Sequence, residues 1–257
     1  MASLECYAFK KSRENGGVRR ETMEKHVGDM LKYLDEIWEY KAFLSKYEKT
    51  LRVERDALDS LIRLAVILHD FGKATRDAQE RCNTSDCEHF PYHYAISARL
   101  AMKLADQLKD VPTVSSLPRL QSNKPPFSAL YVSIVVLPIL LHHYAWVSEE
   151  SLLEAINRTR KLSEVEIYEP CRVYYVKALE DLLKHSKSTH SELDEILRSA
   201  LDLFSRSNKI KLSSLPFNRV EDLVSVHATT SPLVTLIEVS TGIINMCDGR
   251  VAKRNRE

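Results

Sequence analysis

The residues best suited to chemistry are an adjacent histidine and aspartate, His69 and Asp70, at the end of an apolar stretch. On the helical period His69 shares one face with Leu58, Leu61, Ile62, Ala65 and Leu68, so its imidazole extends the buried stripe. An imidazole and a carboxylate are costly to bury unless each finds a partner. A divalent metal ion is such a partner, because both groups are good ligands for it. Gly72 is well placed to end this helix, and Lys73 adds a fixed positive charge beside the pair.

The dipeptide alone is weak evidence, because a buried histidine bonded to a backbone carbonyl group is a common alternative. Four further places put a histidine or an aspartate near the end of an apolar helical face. They are His26, His93, the adjacent pair His142 and His143, and Asp248. His26 alone is typical of a surface or capping residue, whereas two adjacent imidazoles after the most apolar helix are hard to explain by packing. Together the five places favour one metal centre assembled from several helices.

A second and weaker candidate is the segment 75–91, which we predict to be a loop. Cys82, Cys87 and His89, followed by His93, offer the residue types of a zinc site, but one cysteine pair with a four-residue gap is a loose match. A plain polar loop or a disulfide is the alternative. The chain has five cysteines, an odd number, and no signal-peptide pattern at its start. These features predict a cytoplasmic protein with mainly reduced thiols.

The composition is that of an ordinary globular protein rich in helix formers. Of the 257 residues 44% are hydrophobic and 28% are charged, and only six are glycine, so we predict an all-α fold. The net charge of +1 leaves no global field to attract nucleic acid, and any basic surface must be local. The longest apolar run, 127–141, contains Pro138 and is too short to span a membrane. It indicates a central buried helix and no membrane partner.

Helical periodicity predicts the elements that must position the candidate residues. A first helix begins at Glu21 or, with the better capping residue, Thr22, and its apolar stripe continues as far as Trp38. Further helices are predicted over 53–70, from Tyr92 onwards, over 127–146, and from Pro232 to Asp248. Weaker amphipathic patterns predict helices near 150–161, 170–185, 191–206 and 218–226. Residues 1–20 are expected to form an extended lead-in and a loop, and 111–126 a proline-rich surface loop.

The residues after Asp248 form a basic segment, 249–257. Arg250, Lys253 and Arg254 are its candidates for contacts with a nucleic-acid phosphate backbone close to the site. A solvated, frayed terminus is the alternative. The lysines and arginines scattered over 10–20 could guide a nucleic-acid backbone in the same way.

The order of the candidate residues along the chain, H…HD-x-G-K…H…HH…D, resembles that of the HD-domain metal-dependent phosphohydrolase superfamily. Three details are similar to the HD nuclease of type I CRISPR interference: the opening 6–9 (CYAF), the HDFGK form of the motif and the adjacent histidine pair. The resemblance covers essentially the whole chain and implies a single HD nuclease domain over 1–257. No phosphate-binding loop or helicase motif follows, so the resemblance is to the stand-alone HD subunit found mainly in archaea. The segment 82–89 matches no motif of the family.

The resemblance implies a helical bundle around a central site, with two metal ions bridged by Asp70. His26, His69 and Asp248 would complete one metal site, and His93, His142 and His143 would complete the other. Lys73 would neutralise charge that develops on the phosphate in the transition state. Ligands this rich in imidazole favour Mn, Fe, Co, Ni or Zn over Mg, which prefers oxygen ligands. We expect Mn or Ni to support activity well, and Mg less well.

The family cuts DNA, chiefly single strands supplied by a helicase that works with a CRISPR surveillance complex, and some members also cut RNA. The resemblance thus implies a nuclease of antiviral defence whose partners are single-stranded DNA, duplex DNA or RNA, the separate helicase and the complex. Two alternatives stay open: an HD enzyme that hydrolyses small nucleotides, and a catalytically silent scaffold braced by metals. A scaffold predicts a closed coordination shell with no position for water, and Lys73 argues against it. The segment 111–126 is a candidate for docking the helicase or gating the site.

Overall fold

The computed structural model describes residues 5–14, 16–120, 123–143, 148–217, 221–223 and 231–257. Helices make up most of these residues, and the prediction of an all-α protein is confirmed. The first half of the chain contains α1 (Met23–Glu36), α2 (Trp38–Leu51), α3 (Arg55–Leu68), α4 (Arg76–Thr84) and α5 (His93–Leu104). The second half contains α6 (Phe127–Tyr131), α7 (Leu137–Leu141), α8 (Glu149–Arg160), α9 (Glu169–His185), α10 (Ser191–Arg206) and α11 (Pro232–Arg256).

Short elements connect these helices. Single 3₁₀ segments lie at Phe71–Ala74, Ala105–Gln107 and Val114–Arg119, and a π-helical stretch, Val132–Val136, joins α6 to α7. Two small antiparallel sheets pair β1 (Tyr7–Ser12) with β2 (Val18–Thr22), and β3 (Glu164–Glu166) with β4 (Lys209–Lys211).

The centre of the bundle is occupied by two helices that are apolar round most of their circumference. α3 buries ten of its fourteen residues, and every residue of the continuous helix 127–141 is buried. The two helices contact each other, and α1, α2, α5, α9 and α11 pack around them. Helices of this kind are stable only in an interior, and both of these end inside the bundle, where histidines follow them. None of the described helices combines the length and the apolarity needed to cross a membrane.

The structure differs from the predictions in three places within the first 91 residues. The stripe of α1 does not continue to Trp38, because Ile37 has an extended backbone (ψ 134°) and Trp38 starts a separate helix with 70% of its surface exposed. The extended lead-in and the loop predicted for 1–20 correspond to β1 and the turn after it, but β2 was not predicted; it pairs with β1 so that Phe9 lies opposite Glu21. The predicted loop 75–91 contains α4, which covers a small separate apolar cluster.

The end of the chain also differs from its prediction. α11 does not end at Asp248 but continues to Arg256, because Val251 adds one more turn to the buried stripe of Ile244 and Cys247. The basic segment 249–257 is therefore helical rather than frayed. The end of the helix predicted over 127–146 and most of the helix predicted over 218–226 lie outside the described residues.

Four of the five cysteines are paired, which differs from the prediction of mainly reduced thiols. Cys6 is bonded to Cys171, 165 residues further along the chain, and Cys82 is bonded to Cys87. Cys247 is free and buried. Because Cys82 and Cys87 are bonded to each other, neither is available for the zinc site considered for 75–91. The same disulfide connects α4 to Cys87, which forms a β-bridge with Lys10 of β1.

The two disulfides are expected to differ in their contribution to stability. In the chain-entropy relation, the loop closed by Cys6 and Cys171 corresponds to about 5 kcal/mol and the loop closed by Cys82 and Cys87 to about 2 kcal/mol. The double replacement Cys6→Ala/Cys171→Ala should therefore lower the free energy of unfolding in urea more than Cys82→Ala/Cys87→Ala. The measurement uses metal-stripped protein without reductant, and an equal loss from both pairs would contradict the expectation.

Candidate metal centre

His69 and Asp70 directly follow α3 and lie in the middle of the bundle. His69 keeps helical backbone angles after the last residue of α3, whereas Asp70 leaves them (φ −103°, ψ 12°) as the 3₁₀ turn Phe71–Ala74 begins. Both side chains are buried, as expected from the apolar face that precedes them. The turn folds Lys73 back over the site, and its Nζ donates a hydrogen bond to Asp70 Oδ2 at 2.6 Å.

α5 approaches this turn closely, because residue 72 has no side chain. A Cβ on Gly72 would lie 2.3 Å from the carbonyl oxygen of His93 and 2.5 Å from its Cα. The Gly72 N–H donates to Ser97 Oγ, and Ser97 Oγ donates to the His93 carbonyl oxygen, both at 2.9 Å. The prediction that Gly72 ends the helix is wrong, because α3 has already ended at Leu68. Glycine is required here for close approach instead.

The other candidate ligands come from three more helices. α7 ends at Leu141 and is followed at once by His142, which is buried, and His143, which is half-buried. His26 lies in the first turn of α1, and Asp248 lies in α11, which packs against both α1 and α7. The Asp248 side chain keeps 18% of its surface exposed. The site therefore meets solvent on the side of His143 and Asp248.

Asp70 is at the centre, and its two oxygens face different histidines. Oδ2 lies 3.4 Å from His69 Nε2 and 3.7 Å from His26 Nε2. Oδ1 lies 3.2 Å from His93 Nε2 and 3.9 Å from His142 Nε2. The carboxylate thus stands between two pairs of imidazoles, with one oxygen turned toward each pair.

Asp248 and His143 complete the cluster. Asp248 Oδ1 is 3.1 Å from His26 Nε2, and the Nε2 atoms of His93 and His143 are 2.9 Å apart. The candidate ligand atoms form three groups, each within 4.8 Å: Asp70 with His93, His142 and His143; Asp70 with His26 and His69; and Asp248 with His69 and His142. The structure therefore brings all seven predicted ligand residues together. It also puts Asp248 near His142, which the sequence did not predict.

The four buried imidazoles all turn Nε2 toward Asp70 and use Nδ1 elsewhere. Three of them place Nδ1 at a backbone carbonyl oxygen: His69 at Val66 (2.8 Å), His93 at Phe90 (2.5 Å) and His142 at Ile139 (2.6 Å). His26 places Nδ1 at Glu21 Oε1, at 2.9 Å. A proton on Nδ1 leaves the lone pair on Nε2, which is the form that binds a metal ion.

The residues present fit a divalent metal ion. Within the described part of the chain, four buried atoms of the cluster have no hydrogen-bond partner: His26 Nε2, His69 Nε2, His142 Nε2 and Asp70 Oδ1. An unsatisfied buried polar atom costs about 1–3 kcal/mol. Cations next to Asp70 would satisfy these atoms, because each of them belongs to a group of candidate ligands that lie within 4.8 Å of one another. Imidazole nitrogens around a carboxylate suit a transition metal. These buried histidines and aspartates can therefore hold a metal ion.

Burial and neighbouring charges set the protonation of the histidines. Burial holds the pKa of His142 well below its usual range and lowers the pKa of His143 to about 4. Burial also lowers the pKa of His93. Burial also lowers the pKa of His26, but the neighbouring carboxylates of Asp248 and Glu21 outweigh this effect and raise the pKa to about 9. The first three rings are thus neutral at pH 7, whereas His26 must release a proton before its Nε2 can coordinate.

The central carboxylate is ionised despite its burial. Burial raises the pKa of Asp70, but the neighbouring His69 and Lys73 outweigh it and hold the pKa well below its usual range. Lys73 is itself 7% exposed, and its Nζ lies 5.6 Å from the centre of the Phe90 ring. The Lys73 ammonium group therefore contacts Asp70 and the Phe90 ring and is largely shielded from solvent.

The three residues predicted to contact nucleic acid have different surroundings. Arg254 lies 3.4 Å from Asp29, and Lys253 lies 3.9 Å from Glu257. Arg250 is exposed and makes no ion pair with any residue that the structure describes. Of these three residues, Arg250 is thus the one without an ion-pair partner among the described residues.

Two residues that organise the site were missed by the sequence analysis. Glu21 was considered only as a helix start, and its contact with His26 could have been suspected from their proximity in the chain. Ser97 joins the turn after Asp70 to α5, and no sequence signal distinguishes it from other serines in helices.

No protein-family model matches the sequence, and no curated protein matches it significantly.

Proposed function

We propose that this chain is a metal-dependent nuclease that degrades DNA, chiefly as single strands, in CRISPR antiviral defence, with RNA as a second candidate substrate. The observation that carries the proposal is the position of Asp70, with Oδ2 turned toward His26 and His69 and Oδ1 turned toward His93 and His142. A carboxylate between two imidazole pairs can bridge two cations, as the resemblance to HD nucleases implies for these positions. Two bridged cations suit the displacement at a phosphodiester.

The donor set supports transition metals. As the resemblance implies, His26, His69 and Asp248 would hold one metal ion with Asp70, and His93, His142 and His143 would hold the other with Asp70. Asp248 Oδ1 is 3.1 Å from His26 Nε2, and the second set forms one group of candidate ligands. Nitrogen ligands in this number favour Mn, Ni, Co or Fe, with Mg as a weaker activator. Bound ions would lower the pKa of a water molecule that attacks the phosphorus and would polarise a phosphate oxygen.

The chain's own residues have separate tasks in this proposal. Asp70 holds the two halves at a fixed separation, and the carbonyl-bound Nδ1 atoms keep the histidine rings oriented. Lys73, already within 2.6 Å of Asp70, places a positive charge where negative charge develops on the phosphate. The partly exposed Asp248 and His143 would leave an entrance for a strand, and Arg250, two residues after Asp248 on α11, is the proposed contact for its phosphate groups.

The same resemblance supports a separate helicase and the CRISPR surveillance complex as partners. A defence nuclease of this kind works in the cytoplasm. The two disulfides are compatible with the cytoplasm of a heat-adapted archaeon, because intracellular proteins of hyperthermophiles are rich in disulfides.

The test is a cleavage assay on metal-stripped protein. Labelled single-stranded DNA, duplex DNA, RNA and a panel of nucleotides are incubated with Mn, Ni or Mg. We expect Mn or Ni to restore shortening of single-stranded DNA. Hydrolysis of nucleotides alone would replace the proposal with a small-molecule phosphohydrolase, and bound metal without any turnover would replace it with a metal-braced scaffold.

A matched pair of variants excludes a contaminating nuclease. His142→Gln removes a buried imidazole of the site and should abolish metal-dependent cleavage. His185→Gln removes an exposed imidazole that also faces an aspartate, Asp59 at 3.3 Å, but lies outside the site, and its cleavage should match the wild type. Equal activity of both variants would show that the cleavage does not come from this centre.

A further inference from the structure

Glu21 is a buried carboxylate that the proposed reaction does not use. It lies in β2 with 1% of its surface exposed, and a buried carboxylate is costly unless its oxygens are satisfied. Oε1 accepts hydrogen bonds from His26 Nδ1 and from Asn255 Nδ2, each at 2.9 Å. Oε2 accepts a hydrogen bond from Arg256 Nε at 2.7 Å. The carboxylate is therefore fully held, and one of its partners is a candidate metal ligand.

His26 differs from the other three buried imidazoles in this contact. Their Nδ1 atoms face neutral backbone carbonyl groups, whereas His26 Nδ1 faces a charged carboxylate. A carboxylate on the far nitrogen fixes the ring and makes the coordinating nitrogen a stronger electron donor. Glu21 is thus placed to act on a metal ion through His26, without touching the ion or the substrate.

The partners of Glu21 come from the last residues of the chain. Asn255 and Arg256 lie on α11, two turns after Asp248, which faces the other nitrogen of the same imidazole. α11 therefore reaches His26 from both sides, directly at Nε2 and through Glu21 at Nδ1. Arg256 is itself fixed from the other side, because its guanidinium lies 4.9 Å from the centre of the Phe9 ring in β1.

We infer that Glu21 is a positioning residue, anchored by Asn255 and Arg256, that sets the metal affinity of the half of the centre containing His26. The last two turns of the chain thereby become part of the metal centre. This inference rests on the proposed function, because it takes the cluster to be a metal site. It predicts that the half containing His93, His142 and His143 is independent of Glu21.

The test is a metal titration of the full-length, metal-stripped protein by calorimetry with Mn and with Co. Glu21→Gln is expected to lower the affinity for one bound ion by about 10–100-fold and to leave the affinity for the other ion unchanged. Arg256→Gln should also lower the affinity for that same ion. With Co, the visible spectrum of the weakened site should change as well, which a general loss of stability would not cause.

Two surface variants serve as controls. Glu169→Gln and Arg206→Gln each remove one partner of an exposed carboxylate–arginine pair, with Arg172 and Asp202 respectively, and should bind both ions as the wild type does. Unchanged binding of both ions by Glu21→Gln and Arg256→Gln would overturn the inference, and so would equal weakening of both ions. If Glu21→Gln does not fold, the metal affinities of Arg256→Gln alone test the inference, and the same two results would overturn it. Because binding is measured without substrate, absence of cleavage by the wild type would count against the nuclease proposal alone.

Discussion

Asp70→Asn is expected to abolish cleavage and to release both metal ions. Loss of a residue that only supports a metal ligand costs about 10–100-fold in affinity or activity, and Asp70 is itself the shared ligand, so the loss should exceed about 100-fold. Asparagine keeps the size of the side chain but has one oxygen and no charge, so it cannot bridge two cations. The measurement combines metal content after dialysis with the rate of DNA cleavage in Mn.

The charge of Asp70 also affects folding without metal. Its carboxylate is the partner of the buried Lys73 ammonium, and an uncompensated buried charge costs about 3–5 kcal/mol. Asp70→Asn alone should therefore lower the free energy of unfolding of the metal-stripped protein. The double variant Asp70→Asn/Lys73→Met removes both charges and should recover most of this stability while remaining inactive.

The comparison of single and double variants separates folding from catalysis. A folded double variant that cleaves DNA at the rate of the wild type would contradict the role of Asp70. A metal-induced rise in melting temperature should occur in the wild type and not in the double variant.

Gly72→Ala is the second change expected to have a large effect, although Gly72 has no functional group. Its new Cβ would lie 2.3–2.5 Å from backbone atoms of His93, and a backbone contact of that length cannot be relieved by rotating a side chain. α5 and the turn after Asp70 must then separate. Overpacking of this kind costs about 1–3 kcal/mol. A shift of about 1 Å in a catalytic group can lower the rate by about 100-fold.

The expected pattern in Gly72→Ala is uneven across the centre. Metal binding should weaken in the half that contains His93 and should persist in the half that contains His26, because the atoms nearest to a Cβ on residue 72 all belong to the His93 backbone. Gly242→Ala is the matched control, since a Cβ on Gly242, inside α11, meets no atom within 4 Å. That change should raise stability by about 0.5–1 kcal/mol through helix propensity. Equal metal binding by both alanine variants would contradict the close-approach argument.

The all-α fold, most helix positions and the seven candidate ligands could be predicted from the amino-acid sequence alone. Helical periodicity is a local property, so the pattern of apolar residues located the central helices and showed that His69 and His142 follow buried stripes. The helix predicted near 191–206 has those bounds in the structure, and Thr22 caps α1 as expected. Where the pattern could be continued across a turn, as at Trp38, the boundary was wrong, because the turn is made by the backbone of Ile37 alone.

The contacts between these residues could not be predicted from the sequence, because they depend on how the helices pack. The two oxygens of Asp70 are assigned to different histidines by the crossing of α1, α5 and α7 around α3, which no spacing along the chain encodes. Glu21 and Asn255 are 234 residues apart, and Cys6 and Cys171 are 165 apart. Gly72 is needed because of a contact with another helix rather than a backbone angle of its own. Local patterns record which face of a segment is buried, whereas these contacts depend on the packing of several segments at once.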